Sequence, residues 1–189
     1  MPKLYFRYGT MNSSKTANLL MVAHNYLAQG KEVLLVKPEI DTRFGTESIS
    51  SRAVDGMKAH IILSETTEIQ LEQCEGIHCI LVDEAQFLSE YNINNLRMLT
   101  EKVPVICYGL RTDYRTHLFS GSKRLMEIAD TIEEIKTVCV ECDRKAIINA
   151  KFRWRNSSDK EILHDGSSKL ELGAEEKYQP MCWKCWISF

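Results

Sequence analysis

Several features that would assign this chain to a common class are missing from its sequence. There is no run of about 18 apolar residues, the length that a membrane-spanning helix needs, and the first residues lack the apolar segment of a signal peptide. A formal net charge of −2 over 189 residues leaves no basic surplus for nucleic acid. Internal repeats and low-complexity segments are also missing. We therefore expect a cytoplasmic protein that binds neither membrane nor nucleic acid.

Cysteine, in contrast, is well represented, and in a cytoplasmic protein its spacing favours metal over disulfides. Two C-x-x-C pairs, Cys139/Cys142 and Cys182/Cys185, can supply four thiolates to close a tetrahedron around Zn²⁺. Because all four ligands would come from the protein, the predicted site is structural. Buried thiols are the alternative, although they would not predict the paired spacing. The other three cysteines lie in or beside apolar runs and are expected in the core: Cys74, Cys79 and Cys107.

The amino-terminal stretch predicts a phosphate-binding loop. An apolar strand, Leu4 to Tyr8, is followed by a turn and then by a helix whose apolar residues recur with a period near 3.6 up to Gly30. In this context backbone N–H groups and the positive helix end converge on an anion. The side chain of Lys15 would reach the β- and γ-phosphates, and the Thr16 hydroxyl would ligate Mg²⁺. The predicted ATP-binding residues are consecutive: Gly9, Thr10, Met11, Asn12, Ser13, Ser14, Lys15 and Thr16.

One position of this loop departs from the usual pattern. Ser14 stands where G-x-x-x-x-G-K-[ST] has its second glycine, which allows a positive φ and a close approach to phosphate oxygens. Serine fits there only if its dihedral angles are ordinary or if a strain of about 1 kcal/mol is tolerated. The alternative interpretation is a plain strand-to-helix turn in which Asn12 and Ser13 cap the helix.

Strand-like and helix-like segments alternate up to residue 138. This alternation predicts an α/β fold with a P-loop (RecA-like) parallel sheet, helices on both faces and a ligand at the carboxyl ends of the strands. After Cys139 the alternation ends, so we predict a nucleotide-binding domain over 1–138 and a small zinc-bearing domain over 139–189. The further strands are expected at Glu32–Lys37, Ile61–Leu63, Cys79–Val82, Pro104–Leu110 and Ile135–Val138. The segment Pro38–Ala59 is expected to be a loop, and helices are expected within Thr66–Cys74, after Ser89 and over Gly121–Ile128.

The fourth predicted strand delivers two acidic side chains at its carboxyl end. Asp83 would hold hydrated Mg²⁺ beside the phosphates, and Glu84 would act as a general base. Neighbouring residues of a strand point to opposite sides, so the two acids can hold different roles. Alternatively, they simply end a strand in solvent. The pair does not separate a kinase from an ATPase in which the glutamate orients water.

Taken in order, these motifs resemble the zinc-containing type II thymidine kinases over almost the whole chain. The Asp-Glu-Ala-Gln-Phe motif and the late Gly…Lys-Tyr segment are specific to that family, whereas the cysteine pairs alone are not. The matching segments are Gly9–Thr16, Asp41–Arg43, Asp83–Phe87, Gly109–Tyr114, Gly173–Tyr178 and the two cysteine pairs.

The resemblance implies transfer of the ATP γ-phosphoryl group to the 5′-hydroxyl of thymidine, with deoxyuridine as a further candidate acceptor. It also implies Mg²⁺ with ATP, structural Zn²⁺, inhibition by thymidine triphosphate (dTTP) and a cytoplasmic homotetramer. The zinc-tethered segment 143–181 would be the family's lasso, a flap over the nucleoside. The substrate-binding residues that the resemblance implies are Met11, Asp41, Arg43, Phe87, Leu110, Tyr114, Phe119, Asn149, Glu171, Gly173 and Tyr178. Asn149 stands where some members carry threonine.

Two other functions stay open at this point. A zinc-stabilised P-loop ATPase or helicase-like module would share the Lys-Thr loop and the Asp-Glu pair, but it predicts an affinity for nucleic acid. A non-catalytic nucleotide sensor is suggested by Ser14, and it predicts binding without turnover.

Overall fold

The structure is a computed structural model and describes residues 1–42, 45–51, 53–156, 160–166 and 177–189. Its main element is a six-stranded sheet in the order β5-β2-β6-β7-β1-β8. The strands are β1 (Leu4–Tyr8), β2 (Glu32–Pro38), β5 (Ile61–Leu63), β6 (Ile77–Val82), β7 (Val105–Gly109) and β8 (Thr131–Glu134). All neighbouring strands are parallel, so their carboxyl ends meet at one edge.

Successive residues of the central strands are buried on opposite faces of this sheet. On β2, Val33 belongs to the cluster that includes residues of α1 (Lys15–Ala28). Its neighbour Leu34 belongs to the cluster formed with α2 (Glu90–Leu99) and α3 (Ser120–Ile128). This confirms the predicted parallel α/β sheet with helices on both faces. Within the described ranges, no helix combines the length and the apolar character that crossing a membrane would require.

The carboxyl-terminal part forms a second, smaller sheet. Its central strand β9 (Ile148–Trp154) pairs antiparallel with β10 (Lys160–Leu163) and with β11 (Tyr178–Met181). The short helix α4 (Trp183–Ile187) follows β11. A separate hydrophobic cluster holds this part together, and it contains cysteines of both C-x-x-C pairs along with Ile148 and Trp186.

The last strand of the main sheet is not where the sequence pattern indicated. Residues Thr131–Glu134 form β8, whereas Ile135–Val138 had been expected. The strand lies at the edge of the sheet and exposes Ile132. An edge strand of this kind does not need the continuous apolar run by which buried parallel strands are recognised.

Two connecting segments also differ from expectation. Pro38–Ala59, predicted to be a loop, contains a small antiparallel hairpin of β3 (Ser48–Ile49) and β4 (Met57–Lys58). In the stretch predicted to be a short helix, one 3₁₀ turn forms, at Leu71–Cys74. Two-residue strands and single turns are too short for a hydrophobic period to reveal them.

Candidate active site

The phosphate loop, residues Gly9–Thr16, connects β1 to α1 at the carboxyl edge of the main sheet. Ser14 caps the helix in the left-handed region, with φ 62° and ψ 30°, and its side chain makes no capping bond. Serine therefore takes the conformation for which the pattern uses glycine. Gly9 is required for space, because a Cβ there would lie 2.6 Å from the Ile135 carbonyl oxygen. The loop is therefore tightly packed at Gly9 and has a left-handed backbone conformation at Ser14.

Two side chains of the loop point into this turn. The Nζ of Lys15 donates to the Thr10 carbonyl at 2.7 Å and lies 3.5 Å from the Ser13 hydroxyl. The Thr10 hydroxyl is buried and has no hydrogen-bond partner in the part of the chain that the structure describes. Because buried polar groups are nearly always paired, this hydroxyl suits a loop that takes up a polar ligand.

The loop meets the predicted acid at the end of β6. The Thr16 hydroxyl lies 3.1 and 3.3 Å from the two carboxylate oxygens of Asp83, which is itself buried. The Asp83 N–H donates to the Val36 carbonyl of β2, and this bond fixes its backbone. A hydroxyl and a carboxylate are oxygen donors of the kind that Mg²⁺ prefers, so the pair fits the predicted cation.

Glu84 is buried next to Asp83 in an unusual backbone conformation, with φ 50°. Its carboxylate accepts a hydrogen bond from Gln86 Nε2 at 2.5 Å. The other end of that amide accepts from the Leu110 N–H at 3.0 Å, so Gln86 joins the end of β6 to the end of β7. Gly109 leaves room for this contact, since a Cβ there would lie 2.7 Å from Gln86 Oε1. The sequence motif contained Gln86 but gave it no role.

Aromatic side chains predicted for the nucleoside pocket come together in two pairs. The half-buried Phe87 meets Phe119 edge to face with ring centroids 5.8 Å apart. The buried rings of Tyr114 and Tyr178 lie 6.4 Å apart. The ammonium of Lys151 lies over both tyrosine rings, 5.3 Å from the first centroid and 5.9 Å from the second. Lys151 was not identified from the sequence, because lysine side chains are usually solvated.

Asn149 on β9 links the smaller sheet to the phosphate loop. It is only 1% exposed, and its Oδ1 accepts from the Met11 N–H at 2.7 Å. Its Nδ2 donates to the Thr112 carbonyl at 3.0 Å. Both ends of the amide are therefore bonded to protein backbone.

Asp41 forms an ion pair with Lys37, a residue that was not identified from the sequence. Lys37 is 1% exposed at the end of β2, and its Nζ lies 3.2 Å from the Asp41 carboxylate. The same ammonium donates to the carbonyls of Ser48 and Gly45, at 2.9 and 3.3 Å. Three donors thus meet three acceptors, as a buried lysine requires. The neighbouring prediction, Arg43, lies outside the described residues, as do Glu171 and Gly173.

The four paired cysteines form one cluster. Their sulfur atoms all lie within 4.8 Å of one another, and Cys142 Sγ is 3.7 Å from Cys182 Sγ and 3.6 Å from Cys185 Sγ. Sulfurs about 2.3 Å from a tetrahedral zinc would be separated by about 3.8 Å, so the spacing fits that ion. The Cys185 N–H donates to Cys182 and lowers the pKa of that thiol to about 7, which favours the thiolate that a metal binds.

The remaining cysteines lie in the core, as predicted. Cys74, Cys79 and Cys107 are buried in the two clusters of the main sheet. Burial raises the pKa of the Cys79 thiol to about 11 and raises that of Cys107 further. Both thiols therefore stay protonated and unreactive near neutral pH.

Comparison with known proteins points to one family. The family model described as thymidine kinase matches residues 2–186. A thymidine kinase of Streptococcus gordonii is 42% identical over 190 residues, covering 97% of this chain and 95% of that protein. One from Lactococcus lactis subsp. lactis is 40% identical over 190 residues, covering 97% and 96%. Among solved structures, Bacteroides Pif1 bound to ssDNA has a TM-score of 0.42 at 14% identity; the overlap spans 70% of this chain and 38% of that one.

Proposed function

The chain belongs to the thymidine kinase family and phosphorylates thymidine, and we propose that transfer from ATP takes place where the phosphate loop meets the end of β6. The observation that carries this proposal is the 3.1 Å contact between the Thr16 hydroxyl and the Asp83 carboxylate. It joins the loop predicted for phosphate to the acid predicted for Mg²⁺. Lys15 directly precedes Thr16 at the start of α1, and Glu84 directly follows Asp83 after β6.

At the ATP end, we propose that Lys15 exchanges its loop contacts for the β- and γ-phosphate oxygens. Thr16 and Asp83 would hold Mg²⁺, which when bound with ATP neutralises charge on the phosphates. The helix α1 begins at Lys15, so its positive end adds to the attraction for an anion. The orphaned Thr10 hydroxyl supports a polar ligand at this loop.

At the acceptor end, we propose that Glu84 is the general base. Its carboxylate would take the proton of the thymidine 5′-hydroxyl while that oxygen attacks the γ-phosphorus in line, the bond from the γ-phosphorus to the bridging oxygen breaks and ADP leaves. The transfer is direct, with no covalent enzyme intermediate. The bond from Gln86 supports this role, because it fixes the carboxylate of a glutamate that is only 7% exposed.

The nucleoside itself would lie between the aromatic pairs. In this proposal Phe87 packs on the thymine ring and Tyr178 faces the nucleoside, whereas the amide of Asn149, a nucleoside contact by family resemblance, is bonded to backbone at both ends. The pocket is closed by Met11, Leu110, Tyr114 and Phe119. Asp41 and Arg43 would lie beside the transferring phosphoryl group, and the lasso backbone from Glu171 to Gly173 would bond the base edge. Main-chain donors and acceptors can read a pyrimidine edge and reject mismatched polar edges strongly.

The cysteine cluster would hold structural zinc and clip both ends of the lasso. The S–S spacing and the fully protein-derived ligand set support this assignment. Following the family resemblance, we further propose a cytoplasmic homotetramer that is inhibited by dTTP. These two properties are testable by light scattering and by titration of dTTP into the assay.

A coupled assay with ATP, Mg²⁺ and thymidine tests the proposal, with deoxyuridine as a second acceptor. We expect ADP formation that depends on thymidine. Loss of ATP without any nucleoside would instead support an ATPase. ATP binding without turnover in the presence of thymidine would support a nucleotide sensor.

A further inference from the structure

The buried amide of Asn149 connects the smaller sheet to two loops of the main sheet. It bonds Met11 in the phosphate loop and Thr112 in the loop after β7, across 138 and 37 positions of sequence. An N–H on one side and a carbonyl on the other are satisfied together by a carboxamide in one orientation. A carboxylate would place its negative charge against the partial negative charge of the Thr112 carbonyl oxygen, and an apolar side chain would leave both groups unpaired.

The Met11 peptide lies directly before a strained part of the phosphate loop. Asn12 follows it with φ 61°, and Ser14 lies two residues further on with φ 62°. Such conformations persist only where the surroundings fix them. Within the loop, the Ser13 N–H bonds the Thr10 carbonyl at a rather long 3.3 Å. The 2.7 Å bond to Asn149 is shorter than this backbone bond, and it reaches the turn from outside the loop.

Asn149 is in turn held by the strand that leads to the cysteine cluster. On β9 and β11, Asn149 pairs with Pro180, and Ile148 pairs with Met181, the residue before Cys182. The Ile147 N–H donates to the Met181 carbonyl at 2.9 Å, and the Val140 N–H donates to the Pro180 carbonyl at 3.0 Å. One pair of strand residues thus separates the amide from the first cysteine of the second C-x-x-C pair.

We propose that Asn149 is a positioning residue that transmits the order of the cysteine cluster to the phosphate loop, and so sets the affinity for ATP. This rests on the proposed function, in which that loop binds ATP. It differs from a nucleoside contact, the role that the family resemblance implied, because both polar ends of the side chain bond backbone. The expected consequence is a change in ATP binding that exceeds any change in thymidine binding.

The test compares Asn149→Leu with the matched control Asn95→Leu. Asn95, on α2, also bonds backbone at both ends of its amide, to the N–H and carbonyl of Ile69 at 3.0 Å each, and Ile69 is not part of the phosphate loop. We expect Asn149→Leu to weaken binding of a non-hydrolysable ATP analogue and to raise the KM for ATP by about tenfold, the order expected when a buried hydrogen bond is lost. The KM for thymidine should change less than threefold, and Asn95→Leu should change neither.

A raised KM for thymidine with unchanged ATP binding would overturn the proposal in favour of a nucleoside contact. Equal losses in both leucine variants would overturn it in favour of a general stability effect. If Asn149→Leu does not fold, Asn149→Ser removes both bonds with a smaller polar side chain, and the same comparison applies. Because analogue binding needs no turnover, a failure of the proposed reaction would still leave this measurement decisive.

A second arm tests the link to the cluster. Removing the metal with a chelator should weaken analogue binding in the unsubstituted protein, while circular dichroism confirms that the main sheet stays folded. In Asn149→Ser, chelation should weaken analogue binding by less than half as much as it does in the unsubstituted protein, because the link is already broken. Additive losses would mean that the cluster acts on the loop by another route, and the proposal would fail.

Discussion

Replacing Ser14 tests directly whether the phosphate loop is left-handed at this position. Ser14 has φ 62° and ψ 30°, and its side chain makes no capping bond, so its removal costs no hydrogen bond to the helix end. Ser14→Gly should relieve a strain of about 1 kcal/mol, while the greater freedom of the unfolded chain costs about 0.5–1 kcal/mol. These effects nearly cancel, and the Tm should move by no more than about 2 °C.

Ser14→Val should behave in the opposite way. A β-branched residue at positive φ is a strong outlier, and about 1–2 kcal/mol of additional strain should lower the Tm by roughly 2–8 °C for a chain of this size. Thermal unfolding followed by circular dichroism at one fixed zinc concentration measures both variants, since bound metal would otherwise shift the Tm. The matched control is Asn12→Gly, which places glycine at a second residue of this loop that has a positive φ, 61°.

Nucleotide binding completes this test. Serine already adopts the conformation of the missing glycine, so Ser14→Gly should change the affinity for an ATP analogue by less than about threefold. A tenfold gain would mean that the Cβ of Ser14 obstructs the phosphates. A Ser14→Val variant as stable as the unsubstituted protein would refute the left-handed assignment itself.

Three further substitutions test the roles of single side chains. Glu84→Gln should lower kcat by roughly 10²–10⁴ while sparing ATP binding, as loss of a general base would; a collapse of ATP affinity would contradict this role. Gln86→Leu should cost about 1–3 kcal/mol of stability in urea unfolding, because the buried Glu84 and the Leu110 N–H lose a partner; unchanged stability would mean that these bonds contribute nothing. Cys182→Ser should release zinc in a metal assay and weaken thymidine binding; full metal content with unchanged nucleoside affinity would argue against the tether.

The central contact of the site was predictable from the sequence. A parallel sheet brings the carboxyl ends of its strands to one edge, so a Lys-Thr loop after one strand and an Asp-Glu pair after another are expected to meet. The structure brings Thr16 and Asp83 within hydrogen-bond reach. The four cysteines were predictable for a similar reason, since paired spacing already brings two ligands together before the chain folds.

The supporting residues could not be predicted, because their roles depend on distant partners. Asn149 acquires its role from Met11, 138 positions away. Lys37 lies near the end of an apolar strand, where a lysine would normally be solvated. The segment after it was predicted to be a loop, but part of it forms the β3–β4 hairpin, and Lys37 is buried against the Ser48 carbonyl of that hairpin. Gln86 reaches Glu84 across a left-handed turn that a period-two strand pattern cannot indicate.

The backbone gives an independent reason to place function at this edge of the sheet. Among the described residues, four that are not glycine have positive φ: Asn12, Ser14, Glu84 and Thr116. They lie in the three loops that follow β1, β6 and β7, and Thr116 is β-branched, which makes its φ of 68° costly. Such strain persists only where neighbouring contacts fix it, and at Thr116 the buried Asp113 does so by accepting the N–H groups of residues 115 and 117. Loops that served only to connect strands would gain nothing from holding these conformations, so their concentration at one edge supports the same site that the Thr16–Asp83 contact marks.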